Sequence, residues 1–395
     1  MSYSRREFGK LALAGLPAAA VLGHAESLFG AFAQAKPNSL INGVQIGTIT
    51  YSYRSMAEQT AEATLKYILD SGISAVELMG GPAETFAGIP RAEGRGGGAG
   101  RAGGPGGGGR GPGGPGGRAG APAEIPPGAK TGAWNGETCV IPEEGARGGG
   151  GGGRGRGNPA DMTPEQLAAQ AAARAAQEEQ AKKVKDWRTS VSMDPFKKLR
   201  KMYNDAGVSI YAFKQLGANM SDEEFEYIFN VAEALGATHT TLELPAGENA
   251  TAQLKRIGDF AMKKKVYAAY HTHAQGSMTA FDEAFAISKG NMANVDLGHW
   301  TAGGNKGGSP MDFLNKHHAR TSSFHLKDRT TPEHCALNLA WGTGETPIKD
   351  ILHLVRKNKW KIPASVEFEY AIPEGSDAVQ EVRKCVEYCR AALAT

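Results

Sequence analysis

The sequence predicts an α/β fold in which eight strands, each followed by a helix, close into a (β/α)8 barrel. Three observations lead to this prediction. Short apolar runs alternate with helix-length segments, several runs end in acidic or imidazole side chains, and no G-x-G-x-x-G motif follows the first run. Such alternation favours a parallel sheet with helices outside. The missing glycine motif makes an open doubly wound sheet the second choice.

The strands are recognised by their pattern and their boundaries. Residues 43–53 alternate apolar with small or polar side chains, as a strand with one buried face does, and residues 73–79 form a second apolar run. Later runs follow glycines that end helices. We expect the eight strands at residues 43–53, 73–79, 208–213, 238–244, 266–271, 294–297, 322–326 and 364–368.

The helices are marked by start and stop signals. Thr163, Pro164 and Gln166 form a capping box with proline at the first helical position, and Gly207 and Gly236 stand where helices should end. Eight strand–helix units in roughly 290 residues suit a closed TIM barrel, which typically uses about 250. We expect helices at residues 56–71, 163–187, 194–207, 221–236, 250–264 and 279–289, and from residues 309, 346 and 376 onward.

A long glycine-rich insertion follows the second strand. Residues 91–157 contain 29 of the chain's 54 glycines, with scattered arginine and proline. Such a segment buries too little to offset the entropy of ordering it, so we predict that it is disordered. The stretch 133–141 differs, because Trp134 and Ile141 are unusual in a spacer, and we expect this stretch to dock on the barrel.

Charge and cysteine content exclude some classes of protein. The formal charge is +3, but the insertion holds nine basic against five acidic residues, so the folded part is slightly acidic and lacks the footprint of a nucleic-acid-binding protein. We rank RNA binding by the arginine–glycine tract low. The chain has too few cysteines for a disulfide scaffold, and we expect free thiols at Cys139, Cys335, Cys385 and Cys389.

The N-terminus predicts export. Arg5-Arg6 precedes the apolar run 11–22, and Ala33-Gln34-Ala35 offers a cleavage site, so residues 1–35 are typical of a twin-arginine signal peptide. The apolar run is too short to be a permanent membrane span. We therefore expect a periplasmic or extracellular protein with residues 36–395 forming the mature barrel.

Several predicted strands end in side chains that can bind a metal. The C-terminal ends of barrel strands converge on one mouth, so residues 29 to 53 positions apart can meet there. Three carboxylates and one imidazole favour a hard divalent ion, which we expect to be Mn²⁺ before Mg²⁺, Co²⁺ or Zn²⁺. The alternative is that the imidazole is a hydrogen-bonded core histidine. The candidate ligands are Glu243, Asp296, His325 and Glu367.

The motifs at these strand ends resemble those of a known protein family. From about Val44 to Tyr370, without the insertion, the chain is similar to the xylose isomerase-like barrel family. This sugar phosphate isomerase/epimerase superfamily includes inosose dehydratase, ketose 3-epimerases and endonuclease IV. The motifs are Leu242-Glu243, Tyr270-His-Thr-His273, Asp296-Leu-Gly-His299, His325-Leu-Lys-Asp328, Gly342-Thr-Gly-Glu345 and Val366-Glu367-Phe-Glu369; the His-Leu-Lys-Asp motif leans toward the dehydratase branch.

The resemblance implies the same four metal ligands and further contacts around them. It implies that His299 and Lys327 reach substrate oxygens, and Trp300, beside His299, is a further candidate contact. Glu369 shares a strand face with Glu367 and stays open as the eighth-strand ligand. His271 and His273 also share a face. One of them is a candidate general acid/base or fifth ligand, although His271 alone could be a core histidine.

The chemistry expected of such a site is proton transfer next to a carbonyl. A divalent ion would chelate a sugar carbonyl and hydroxyl and stabilise an enediolate, so we predict a metal-dependent carbohydrate isomerase/epimerase or dehydratase/lyase. We expect Glu243 and Glu367 to combine ligation with proton transfer and His271 or His273 to assist. His299 and Lys327 would then stabilise developing negative charge on oxygen.

Two other classes of function stay in view. One is a phosphodiesterase like endonuclease IV, which the early strand ends Glu77 and Lys214 disfavour. The other is a non-catalytic carbohydrate-binding barrel that uses Trp134, Trp300 and Trp341 as stacking platforms. We expect a small carbohydrate as partner, no nucleic acid and no stable membrane span, and we leave self-association into a homo-oligomer open.

Overall fold

Eight parallel strands form a closed barrel in this computed structural model, which describes residues 36–91, 129–141 and 162–395. The first strand pairs with the second on one side and with the eighth on the other, so the sheet has no free edge. This confirms the predicted (β/α)8 TIM barrel. The strands are β1 (Val44–Ile49), β2 (Ala75–Met79), β3 (Ser209–Lys214), β4 (His239–Glu243), β5 (Tyr267–His271), β6 (Asn291–Asp296), β7 (Thr321–Leu326) and β8 (Ala364–Val366).

Helices surround the barrel and begin at the predicted caps. Both halves of the predicted capping box at Thr163 are formed, a second box forms at Ser221, and Gly236 ends that helix with a left-handed φ of 77°. The helices are α1 (Ala61–Asp70), α2 (Gly80–Phe86), α3 (Pro164–Ser190), α4 (Asp194–Asp205), α5 (Asp222–Leu235), α6 (Ala250–Lys264), α7 (Asp282–Ile287), α8 (Leu297–Ala302), α9 (Pro310–His317), α10 (Ile348–Asn358) and α11 (Ala378–Ala394).

Several strand boundaries differ from their predictions. β1 ends at Ile49 and not at residue 53, because Thr50–Tyr53 form a 3₁₀ helix, and β8 ends at Val366 and not at residue 368. β6 begins at Asn291, three residues earlier than expected, because two asparagines interrupt the apolar pattern. The Asn291 side chain is nevertheless buried and donates to the carbonyl oxygens of Leu254 and Ala284. A polar residue that binds neighbouring backbone can therefore extend a strand that hydropathy alone would shorten.

The long helix α3 lies on the surface, as its weak apolar stripe predicts. Its side chains are mostly exposed, and its C-terminal turn is anchored by Arg188. This buried guanidinium donates from Nε and Nη2 to the two carboxylate oxygens of Glu84 at 2.8 and 3.1 Å. Tyr227 donates to the same carboxylate, so this ion pair is fully hydrogen-bonded.

The stretch between the two undescribed parts of the insertion folds as a hairpin. Residues Thr131–Trp134 pair with Glu137–Val140, and Trp134 packs on His334, which lies in the loop after β7. Cys139 forms a disulfide with Cys335 of the same loop. The prediction of free thiols is therefore wrong for this pair, because only the fold brings residues 196 positions apart within the 5.7 Å Cα separation that suits a disulfide.

The remaining expectations concern the other two cysteines, the N-terminal signal peptide, the insertion and membrane spans. Cys385 and Cys389 are free and buried in α11, as predicted. The expected signal peptide and most of the glycine-rich insertion lie outside the described residues and stay predictions. Within the described ranges, no helix is both long and apolar enough to cross a bilayer.

Candidate active site

Four potential metal ligands meet at the C-terminal ends of β5 to β8. Each of His271, Asp296, His325 and Glu367 contributes one ligand atom, and these atoms all lie within 4.8 Å of one another. The strand register explains the meeting, because Asp296 pairs directly with His325 and Glu367 follows the last residue of β8. All four side chains are buried. We refer to these four residues as the ligand group.

Glu243, the fourth predicted ligand, stands beside this group and forms a second one with His271 and His273. Its half-exposed carboxylate accepts from Lys214 Nζ at 3.2 Å and lies 3.4 Å from His273 Nδ1. Desolvation raises the pKa of Glu243, but Lys214 and the two histidines outweigh it and lower that pKa to about 2. Glu243 as a metal ligand stays a prediction.

His325 lies between two buried carboxylates. Its Nδ1 is 2.8 Å from Glu367 Oε2, and its Nε2 is 2.8 Å from Glu77 Oε2. Burial alone would lower the pKa of His325, but the two carboxylates raise it to about 10. The imidazole is therefore held in one orientation, with Nδ1 facing the ligand group.

Glu77 is a functional candidate that sequence reasoning did not assign to the site. This carboxylate in β2 is fully buried and also accepts from Thr241 Oγ1 at 2.7 Å. Burial raises its pKa, but His325 and further donors lower it to about 2. The available signal was a charged residue at the centre of an apolar strand, where only a buried partner could compensate it.

A hydrogen-bond chain through Asn294 defines the state of His271. The Asn294 amide nitrogen donates to Ser323 Oγ at 2.6 Å and faces Glu77, so its oxygen accepts from His271 Nδ1 at 3.1 Å. Burial, followed by the charge of Lys214, lowers the pKa of His271 to about 3. His271 is thus neutral near pH 7, and its Nε2 lone pair is left for a cation or a proton.

Lys327 places its ammonium within the ligand group. Its Nζ lies 3.0 Å from Asp296 Oδ2, 3.0 Å from Glu367 Oε2 and 2.6 Å from Glu369 Oε2. Burial raises the pKa of Glu367, but Lys327 and His325 hold it well below its usual range. Burial raises the pKa of Asp296 to about 7 despite the ammonium. The carboxylates of Asp296 and Glu367 therefore already have a cationic partner in Lys327.

The barrel has the fold of a xylose isomerase domain protein. The solved structure of that protein, from Alicyclobacillus acidocaldarius, matches with a TM-score of 0.50 and 12% identity over 89% of this chain and 100% of the other. A sugar phosphate isomerase/epimerase from Parabacteroides distasonis matches with a TM-score of 0.49 and 13% identity over 92% and 97%. No protein-family model and no curated protein matches the sequence. At these identities the likeness concerns the fold alone.

The two remaining predicted substrate contacts, His299 and Trp300, lie in different places, one at the barrel mouth and one in the core. His299 lies at the mouth, where its Nδ1 accepts from Arg329 at 2.5 Å and its Nε2 is 3.9 Å from Glu369. Burial and the charges of Lys327 and Arg329 hold the pKa of His299 well below its usual value. Trp300, in contrast, is fully buried, and its indole donates to the Gly308 carbonyl. No ring face of Trp300 is open for a sugar.

The donor set of the ligand group suits a divalent cation. Two carboxylates and two imidazoles are the ligands that Mn²⁺, Co²⁺ and Zn²⁺ accept, and they converge from four neighbouring strands. Glu77 provides the carboxylate that commonly supports a metal-binding histidine from behind. Glu369 is not a member of the group, which favours Glu367 as the eighth-strand ligand.

Proposed function

We propose that the chain is a divalent-metal-dependent carbohydrate isomerase, epimerase or dehydratase/lyase that acts on a free or glycosidic keto sugar. The observation that carries this proposal is the ligand group, whose four atoms lie within 4.8 Å of one another at the catalytic end of the barrel. The xylose isomerase domain protein with the same fold supports the choice of sugar chemistry.

Asp296, Glu367 and His271 through Nε2 would hold the cation. His325 would join them through Nδ1 after losing the proton that this nitrogen shares with Glu367. When bound, the cation would supply Lewis acidity to a substrate carbonyl. Glu243 is ionised near neutral pH and half-exposed, so its carboxylate can take a proton from the carbon beside that carbonyl. His273 lies 3.4 Å from Glu243 and so on the same side of the substrate, where it can return the proton to the neighbouring carbon, which gives isomerisation. Epimerisation would need a proton donor on the opposite face of the substrate.

The substrate would be oriented by the groups at the other side of the mouth. His299 is held by Arg329, and Glu369 lies between His299 and Lys327. These side chains offer donors and acceptors to sugar hydroxyls. Loss of a hydroxyl next to the deprotonated carbon would give dehydration in place of isomerisation, so one site is compatible with both reactions.

Export of the protein is part of the proposal. The twin-arginine pattern of residues 1–35 supports it, and so does the Cys139–Cys335 disulfide, since such bonds persist mainly in oxidising compartments. A periplasmic or extracellular enzyme meets free and glycosidic sugars, in agreement with the substrate class proposed above.

The test is turnover on 3-keto-glycosides, inososes and ketoses with and without a chelator. We expect one substrate class to be converted, chelation to abolish conversion and Mn²⁺ to restore it. Asp296→Asn should lower kcat/KM by at least about 100-fold. Glu226→Gln, a comparable change on the outer helix α5, should leave it unchanged.

Two results would contradict the proposal. Full activity of Asp296→Asn in the presence of chelator would remove the ligand group from the mechanism. Binding of sugars without conversion of any of them, unaffected by chelation, would favour a non-catalytic carbohydrate-binding barrel. Cleavage of abasic DNA would instead indicate a phosphodiesterase.

A further inference from the structure

We propose that the Lys327 ammonium is a built-in cation of the ligand group, which a divalent ion has to displace in order to bind. Lys327 is almost fully buried, and its Nζ lies 3.0 Å from Asp296 Oδ2 and 3.0 Å from Glu367 Oε2. Both of these oxygens belong to members of the group that would hold the metal. The lysine therefore occupies the position between two of the four ligands.

A divalent ion and this ammonium cannot both keep these contacts favourably. Metal–oxygen bonds to carboxylates are about 2.1 Å long for a small divalent ion. An ion bound to Asp296 Oδ2 and Glu367 Oε2 would thus lie close to a lysine nitrogen that contacts the same oxygens. Like charges at such short range repel strongly in a buried site. Metal binding is accordingly expected to move the ammonium.

Glu369 provides the place to which the ammonium can withdraw. Its Oε2 already accepts from Lys327 Nζ at 2.6 Å, its side chain is partly exposed, and it lies outside the ligand group. It is also 3.9 Å from His299 Nε2 at the mouth. A lysine displaced toward Glu369 would face the substrate, so metal loading would form the contact between Lys327 and substrate that the family resemblance implies.

Metal affinity tests this inference, which rests on the proposed metal site. Isothermal titration with Mn²⁺ compares the full chain with Lys327→Met, which keeps an unbranched side chain one atom shorter and removes its charge. We expect Lys327→Met to bind Mn²⁺ at least about tenfold more tightly. Lys264→Met, which removes an ion-paired lysine in the outer helix α6, is the control and should not change the affinity.

Unchanged or weaker binding by Lys327→Met would overturn the inference, and so would absence of Mn²⁺ binding by both proteins. A second measurement needs no variant. Amine-reactive labelling of Lys327, followed by mass spectrometry, should rise when the unaltered protein is saturated with Mn²⁺, and constant labelling would contradict displacement. Neither measurement uses turnover, so a wrong reaction class would leave both results valid.

Discussion

The two sides of the barrel mouth use the same kinds of residue in different ways. On the side formed by β6 to β8, Asp296, His325, Lys327 and Glu367 are buried and contact one another at 2.8 to 3.0 Å. On the side formed by β4 and β5, the side chains of Glu243 and His273 are about half exposed and 3.4 Å apart. The first set forms a buried network of paired charges, and the second is open to solvent.

This difference suggests separate roles for the two sides of the mouth: the buried side would hold the cation, and the exposed side would exchange protons with the substrate. Buried charges are costly unless they are paired, so the carboxylates and imidazole of β6 to β8 are held by their partners and can position a cation. Solvent near Glu243 and His273 screens their interaction, so both groups are accessible to a substrate, and a substrate has only the Lys214 contact of Glu243 to replace. We therefore expect substitutions on the buried side to affect both activity and stability, and those on the exposed side to affect activity alone.

The largest expected effect is on turnover. Glu367→Gln removes the negative charge of a candidate ligand that accepts from both Lys327 and His325, so it should lower kcat/KM by about 1,000-fold or more, near the upper range for one catalytic group. Glu243→Gln should cost about 100-fold, since it removes a proton acceptor but leaves the network intact. Steady-state kinetics on the same substrate measures both. Equal losses in the two variants would remove the distinction between the sides.

The second effect is on stability. His325→Leu leaves the carboxylates of Glu77 and Glu367 without the imidazole that both now contact. Loss of one member of a buried ion pair typically costs about 3–5 kcal/mol in the free energy of unfolding. Urea denaturation measures it, with His273→Leu as the control on the exposed side. A cost below about 1 kcal/mol would show that the buried network is not ionised as described.

The pH dependence of stability follows from the same histidine. The pKa of His325 is raised to about 10 from 6.5, so its pairing contributes fully below pH 6.5 and is lost as the pH rises toward 10. The pKa of Glu77 is lowered to about 2 from 4.5, so its contribution is present above pH 4.5 and is lost toward pH 2. The stability difference between the wild type and His325→Leu should therefore decrease from pH 6.5 to 10. A difference that grows over this range would contradict the assignment.

The sequence predicted the barrel well because its signals are local. Capping boxes at Thr163 and Ser221, stop glycines and apolar runs each act within a few residues, and eight such units have one favourable closed arrangement. The spacing also brought Asp296, His325 and Glu367 to one mouth, since every strand end points there. These parts of the prediction needed only strand order.

The features that the sequence did not show depend on contacts between residues far apart in the chain and on how side chains pack in the interior. Glu243 and His271 both end a strand, and only the barrel's closure decides which of them lies among Asp296, His325 and Glu367. Whether Lys327 points to the substrate or to the carboxylates depends on side-chain packing. The Cys139–Cys335 disulfide joins the insertion to the loop after β7, and no spacing in the sequence pairs these two cysteines.

The smallest expected effect is the change in stability on replacing His273, on the exposed side of the mouth. The side chain of His273 is about half exposed, and its contact with Glu243 is a single interaction at 3.4 Å, so His273→Ala should change the free energy of unfolding by no more than about 0.5 kcal/mol. Its effect on turnover should still reach about tenfold or more if it returns a proton to the substrate. Thermal unfolding and exchange of the substrate proton with deuterated solvent measure the two effects. Loss of stability without loss of exchange would place His273 with the structural histidines, such as His239, which is buried and hydrogen-bonded to Ser323.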